Sequence, residues 1–452
     1  MASICIIGGG MVGLALATEA VRRGHKVRVY EAGGEMPGES NLETGGVNAE
    51  GTKYFDISQT RVSALGGTSH IWGGNCRFFE AEDFEPLAEN APSWLINRSD
   101  IEPYFTTAET LLHLGGTWDP ADYFNPAPPV GPYFKPSIYK LSPVLMPEEG
   151  PRRRGSSYIY LKDKLKGVEI FPLHMFSRFV HRGEKITSAQ FLTNDGRVVE
   201  DNADHFILAC GGLENNRQLL IQAQNTADLF SRVADNVGHF WSEHPHPFLA
   251  QALFSDGNFK EYAGSYREPT YDFVFTTKFS LADRRSIDGP ALSHTMQLVY
   301  RGEEKPQYLT AINEQLPLRE NRIELSSEIS IFDKLPLLRL HYNSDVTTRS
   351  RIWNAMMLFA AYAGSHDETR LKLALDQATF LNPELGLGGG HHHMGGTCMG
   401  SLESGGVIDR DCRVYGTENL YMAGSSVFPR GGSVNPTMNA IAIGLRTVHQ
   451  LS

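Results

Sequence analysis

Ser3-Ile4-Cys5-Ile6-Ile7-Gly8-Gly9-Gly10-Met11-Val12-Gly13 is the stretch whose reading decides the fold. Residues 4–7 form an apolar run of strand length, and the glycines at 8, 10 and 13 follow with G-x-G-x-x-G spacing. The pattern beyond predicts a helix over about 12–23, ended at Gly24, and a second strand over 26–30. Glu31 falls eighteen residues after Gly13. Each piece has a mechanical use. Gly8 makes the turn, Gly10 lets a pyrophosphate approach backbone amides, Gly13 lets helix pack on strand, and Glu31 accepts from ribose hydroxyls. Strand, turn, helix, strand and acid in that order predict an α/β fold with a Rossmann-like dinucleotide-binding domain. The motif alone does not separate FAD from NAD.

Outward from this stretch, 452 residues leave room for two or three domains. A hydrophobic content of 41% with 21% charged residues is that of a soluble globular chain. The formal charge of −11 disfavours a nucleic-acid partner. Arg152-Arg153-Arg154 is then a solvated loop. Five cysteines without paired spacing suggest reduced thiols and a cytoplasmic setting. The N-terminus lacks a basic leader region and carries Gly8-Gly9-Gly10 and Glu19, against a signal peptide. No apolar run is long enough to predict a membrane span.

Residues 79–151 are rich in proline, aromatic residues and turn signals, notably 126–129 and 131–132, which suggests an ordered excursion. Short strands are predicted at 168–171, 177–180, 189–192 and 206–208, with Asn194-Asp195-Gly196-Arg197 as a hairpin turn. Alternating runs at 272–277, 293–300 and 322–327 suit an antiparallel sheet with one buried face, and 347–363 reads as a helix. The expected organisation is a discontinuous dinucleotide domain (1–80, 151–237 and 389–452), an excursion or lid (81–150), and an α+β substrate domain (238–388).

The chemistry-bearing residues concentrate at the C-terminal end. His391-His392-His393-Met394-Gly395-Gly396-Thr397-Cys398-Met399-Gly400 precedes Ser433-Val434-Asn435-Pro436-Thr437-Met438-Asn439-Ala440 by some forty residues. Consecutive side chains in extended backbone point to alternate faces, so the three histidines do not suit one metal ion. Zinc-type spacings are absent as well. A base or donor is the better functional reading for one histidine. Asn435-Pro436 is an ordinary helix start. It is also compatible with a site, because amides of Thr437 and Met438 would face developing negative charge. If the fold brings the two segments together, a histidine and an asparagine share one substrate oxygen. His244-Pro245-His246 invites a metal reading or a packing one. His294, Gln297 and Tyr300 either line a site or fall in core and solvent by simple alternation.

Three further stretches carry a family resemblance. They are Leu65-Gly66-Gly67-Thr68-Ser69-His70-Ile71-Trp72-Gly73-Gly74-Asn75 with Asp83-Phe84-Glu85; Ala209-Cys210-Gly211-Gly212-Leu213-Glu214-Asn215-Asn216-Arg217; and the block from Val407-Ile408-Asp409 to Ala423-Gly424-Ser425-Ser426-Val427-Phe428-Pro429. Together they resemble the glucose-methanol-choline (GMC) flavoprotein oxidoreductases, closest to their sugar-oxidising, pyranose oxidase-like branch. The resemblance implies FAD, held by Gly8, Gly10, Gly13, Glu31, Gly67, Thr68, Trp72, Gly74, Asn75, Gly211, Arg217, Gly424, Ser425, Pro436 and Thr437. It implies a catalytic histidine opening a His-x-x-Gly-Thr pattern, which falls on His393, and a second catalytic position on Asn435. The chain departs from the family here. Cys398 alone separates Thr397 from Met399 and the usual arginine is missing, so counting back from Met399-Gly400 lands on His392. In pyranose oxidases a histidine directly before the loop tryptophan carries the flavin covalently; here Ile71 holds that place and His70 is one residue early, which implies noncovalent FAD. The Glu-His-Pro element at 243–245 is implied to pack near the domain junction.

The activity so implied is oxidation of a small polar alcohol or carbohydrate, with hydride passing to flavin N5. His393 would act as a base of near-neutral pKa, and Asn435 would donate to the alkoxide. Oxygen or another carrier would be the electron acceptor. The rival expectations are an FAD-dependent lyase or decarboxylase on the same scaffold, or a flavin electron-relay subunit.

Overall fold

The computed structural model describes residues 1–39, 47–114, 133–142, 157–253, 265–267, 274–299, 307–330, 334–366 and 370–452. The proline-rich 126–129 and 131–132, the arginines at 152–154, and Tyr300 lie outside them.

The opening strand, Ser3–Ile7, sits inside a five-stranded parallel sheet ordered Leu420–Met422, His205–Leu208, Ser3–Ile7, Lys26–Tyr30, Val168–Phe171. Residues 4–7 are apolar without alternation because both faces of the strand are covered. The helix runs Met11–Arg22 with Gly10 at its N-cap, within a residue of the expected 12–23. The strand order reverses between Ser3–Ile7 and His205–Leu208. Parallel α/β sheets open a crevice at such a point, beyond the carboxyl ends of the strands. Gly8 and Ala209 meet there so closely that a Cβ on Gly8 would stand 2.5 Å from the Ala209 carbonyl oxygen.

The expected strands at 177–180 and 189–192 are longer, His174–Arg182 and Lys185–Thr193, and with Val198–Asn202 they form a three-stranded antiparallel sheet. The 194–197 turn joins the last two as expected, with Gly196 at φ +83° and its amide on the Thr193 carbonyl at 2.9 Å.

A second, antiparallel sheet has seven strands in continuous order, with Ser265–Arg267 attached to Val274–Leu281. It contains Val274–Leu281 and His294–Val299, as the alternation predicts, and also takes in Asn75–Cys76 and Phe134–Leu141. The third alternating run does not join it. Arg322–Ile329 pairs with Pro336–Tyr342, which in turn takes Val47–Gly51 in parallel, making a separate three-stranded sheet. Alternation reports that one face is buried and is silent about the neighbour. The helix expected at 347–363 runs Val346–His366 and lays Phe359 against Phe134 and Phe279.

A buried ion pair ties this sheet to the C-terminal segment. Arg430 donates to both oxygens of Glu314, at 2.8 and 2.6 Å, and the Gly432 amide adds a third bond at 2.9 Å. Against the cost of burial, Arg430 holds the Glu314 carboxyl down to about 2. The next residue, Ser433, accepts at its carbonyl from Tyr139 and meets Ser293 and Thr295 through its hydroxyl. The segment two residues before Asn435 is thereby anchored to the sheet.

Candidate active site

The crevice is a continuous cleft from the glycine turn at its outer end to the histidine run at its inner end. Every cofactor residue expected from the sequence lines it except Gly13 and Asn75. Gly13 lies beneath the floor, where a Cβ would stand 2.1 Å from the Gly8 carbonyl oxygen. Asn75 turns its amide to the Gly73 carbonyl and pairs with Leu141 in the antiparallel sheet.

The remaining residues fit a dinucleotide. Nothing stands within 4 Å of where a Cβ on Gly10 would be, so the helix start presents bare backbone to the cleft. Glu31 is buried, with one carboxylate oxygen on the Gly9 amide at 2.8 Å and the other on the Gly33 amide at 2.7 Å. Burial raises its pKa and the two amides oppose the rise. The Ser63 side chain bonds it as well, so of the roughly four acceptor directions of an ionised carboxylate about one remains for a ribose hydroxyl. Arg217 is turned into the protein, donating to the Pro336 carbonyl at 2.7 Å and to Glu214 at 2.9 Å. Among the described residues Trp72 Nε1, Gln218 Oε1, His393 Nδ1 and Asn435 Oδ1 are buried polar atoms on cleft-lining side chains without a hydrogen-bond partner in the protein.

At the inner end the structure brings Asn435 to a histidine, and the histidine is His392 rather than His393. Asn435 Nδ2 lies 3.0 Å from His392 Nε2. His393 points the other way, its Nε2 2.9 Å from Thr60 Oγ1 and its ring beside Trp241 and Tyr54. The cause is in the backbone. Buried Glu243 takes the amides of Gly390, at 3.3 Å, and His392, at 2.9 Å, on one oxygen, while Tyr54 donates to the other. His391 is left-handed at φ +56°, and Met394 exchanges both main-chain bonds with Ser242. With the main chain so pinned, His392 and His393 take opposite faces.

Asn435 does not cap the helix. The C-terminal helix is Thr437–Gln450 with Pro436 in the cap position and no side-chain cap bond, so the Asn435 amide is left to the cleft.

Burial keeps these histidines neutral. It pushes His393 down to about 3, helped by the Arg61 charge, and pushes His392 well below its ordinary range, helped by His244, His246 and Lys278. The near-neutral pKa expected of the base is therefore not found, and a neutral His392 keeps a lone pair on one ring nitrogen. Burial raises Glu243 to about 7.

The sequence pattern marked Glu243 only as part of a packing element and did not mark Tyr54 or Lys278. Lys278 lies mid-strand in Val274–Leu281, buried, with its ammonium 4.0 Å from the centre of the Tyr139 ring and burial lowering its pKa to about 7. A lysine flanked by Thr277 and Phe279 in an alternating run was the available signal. The His244-Pro245-His246 element packs between the antiparallel sheet and the C-terminal segment, with the Pro245 carbonyl accepting from Asn313 at 3.0 Å and His244 Nε2 3.2 Å from the Gly431 carbonyl. Ligating nitrogens of His244, His246 and His392 lie within 4.8 Å of one another. The 2.8 Å between His244 Nδ1 and His392 Nδ1 is a hydrogen-bond distance, shorter than the ~3.3 Å between two nitrogens on one tetrahedral zinc. The Lys278 charge, which acts on both His246 and His392, also opposes a cation there.

Comparison with known proteins agrees with the fold and with a flavin cofactor. Residues 3–72 match the FAD dependent oxidoreductase family and residues 317–444 match the GMC oxidoreductase family in its C-terminal part. The fructose dehydrogenase large subunit of Gluconobacter japonicus is 21% identical, aligned over 98% of this chain and 96% of its own. The 2-methyl-1,2-propanediol dehydrogenase of Mycolicibacterium austroafricanum is also 21% identical, over 86% and 81%. The crystal structure of pyridoxine 4-oxidase from Mesorbium loti superposes over 100% of this chain and 99% of its own, with a TM-score of 0.60 and 15% identity. With the nucleotide turn, the cleft and the histidine–asparagine end in one frame, the chain carries an FAD dependent oxidoreductase domain at 3–72 and a GMC oxidoreductase C-terminal domain at 317–444, and is an FAD-dependent oxidoreductase.

Proposed function

We propose that the protein oxidises an alcohol group on a small polar molecule, a sugar, glycoside or amino sugar before a simple diol, with His392 as the base. The carrying observation is the His392–Asn435 contact at the inner end of a glycine-floored cleft. FAD bound in the cleft supplies the hydride acceptor. Gly8, Gly10 and Glu31 would hold its nucleotide half, with Gly67, Thr68, Trp72, Gly424, Ser425, Pro436 and Thr437 along the rest.

His392 takes the hydroxyl proton at Nε2, which makes loss of hydride from the same carbon feasible. Asn435 fixes that oxygen through its amide. His393, the residue reached from the Gly396-Thr397 spacing, serves in this reading as a cleft wall held by Thr60. The polar inner end, with His392, Asn435 and the Lys278 charge that reaches His392, favours a substrate with several oxygens. The names of the fructose and propanediol dehydrogenases point the same way, to vicinal hydroxyls.

Noncovalent attachment is supported by His70, whose ring turns to the Leu65 carbonyl at 3.0 Å while Ile71 and Trp72 face the cleft. A cytoplasmic setting is supported by five unpaired cysteines. No helix among the described residues is long and apolar enough to cross a membrane. The division into 1–80 with 151–237 and 389–452, 81–150, and 238–388 belongs to the same proposal.

The test is flavin absorbance after anaerobic mixing with sugars, glycosides, amino sugars and diols, followed by air. Bleaching by a sugar class supports the reading, and the rate of recovery in air separates oxygen from another acceptor. A yellow, folded protein bleached by no alcohol overturns it.

A further inference from the structure

His244 is bonded to the base from behind, and the chemistry of that contact is determined by its far end. The Gly431 carbonyl can only accept, and it lies 3.2 Å from His244 Nε2, so that nitrogen carries a hydrogen. A neutral imidazole has one N–H, which leaves His244 Nδ1 as an acceptor. His392 Nδ1 stands 2.8 Å from it and therefore donates. His392 Nε2 is then bare and accepts from Asn435 Nδ2 at 3.0 Å. The amide orientation of Asn435 follows from the same sequence of donors, and its Oδ1 is left without a protein partner. The reverse polarity would set a buried lone pair of His244 against the Gly431 carbonyl.

We propose that His244 is a positioning residue that holds the proton of His392 on Nδ1 and so keeps the Nε2 lone pair aimed at the substrate hydroxyl. This rests on the reading of His392 as the base.

The surroundings reinforce it. One Glu243 oxygen takes the amides of both His244, at 2.8 Å, and His392, at 2.9 Å, so main chain sets the ring separation. Pro245 restricts His244 to extended backbone. The charged and titratable groups that act on the pair are His246, Lys278 and His393 toward His392, and Glu314 toward His244. Glu314 is already taken up by Arg430 and by the Ser293 and Gly432 amides, and makes no bond to His244. Burial lowers His244 to about 4, which keeps the chain of donors in its neutral form. The arrangement uses a carbonyl-anchored histidine where other sites use a carboxylate to choose which nitrogen of a base is bare.

The experiment uses the FAD-loaded protein labelled with 15N-histidine, with the His392 ring signals assigned by their loss in His392→Gln. The expected spectrum has a protonated Nδ1 and an unprotonated Nε2. His244→Phe should move the hydrogen to Nε2 and slow anaerobic flavin reduction about 10–100-fold, with FAD content and substrate dissociation constant kept. His244→Asn, whose side-chain oxygen can accept from the same nitrogen, should restore the wild-type tautomer and most of the rate. Protonated Nε2 in the wild type, or unslowed reduction in His244→Phe, overturns the proposal. The wild-type spectrum decides the tautomer without turnover, so a protein that no alcohol reduces would refute the proposed function separately.

Discussion

The nucleotide end of the cleft and its histidine end are built in opposite ways. Residues 3–31 form their own strand, turn, helix and strand, and the key contacts, Gly13 under Gly8 and Glu31 on Gly9, lie within one short stretch. The histidine end draws on Thr60, Glu243, His244, Lys278, His392 and Asn435, residues that only the fold brings together. A local motif states its geometry through backbone needs. An assembled site states only which residue types are available.

Substitutions can break or sharpen that contrast. The largest effect is expected at the assembled end. His392→Ala should slow flavin reduction by roughly a hundredfold to ten-thousandfold, as loss of a general base does. His393→Ala should cost much less, and stopped-flow reduction showing the reverse order would return the base to His393. Next comes the anchor of the segment before Asn435. Arg430→Met leaves Glu314 buried and unpaired and should lower stability by about 3–5 kcal/mol in urea titrations at neutral pH. Because the folded pKa of Glu314 is depressed, the stability it contributes is present above the ordinary carboxylate range and is lost as pH falls toward about 2. The variant's deficit should shrink in acid.

At the local end Gly13→Ala forces a Cβ to within 2.1 Å of the Gly8 carbonyl oxygen. Overpacking of this kind costs about 1–3 kcal/mol, and the expected readout is FAD lost on gel filtration while the far-UV spectrum is kept. The smallest effect is on pH dependence. The folded pKa of Glu243 is raised to about 7, so its stabilising contribution is full below the ordinary carboxylate range and is lost as pH rises through about 7. Glu243→Gln should flatten that fall, by at most about 1.4 kcal/mol per pH unit, in melting curves between pH 4.5 and 8.

The strands at 3–7, 26–30 and 168–171, the helix after the glycine turn, and the 194–197 hairpin were legible because each depends on apolar period or on a glycine where φ is positive. Arg322–Ile329 was legible as a strand, yet its sheet was not, since an alternating run has no mark for its partner. Asn435-Pro436 looked like a cap and start, but the helix begins one residue later and the Asn435 amide faces the cleft beside His392.

By itself the sequence determined that this chain has a dinucleotide turn, a flavoprotein-type C-terminal block, and three adjacent histidines and an asparagine that a fold can bring together. Tertiary structure decided which histidine. Three adjacent imidazoles are chemically alike, and what separates them is a Glu243 carboxylate holding the main chain of the loop, with His244 waiting on one face and Thr60 on the other. Those partners come from distant segments, and side-chain direction in a pinned loop is set by what the fold packs against it.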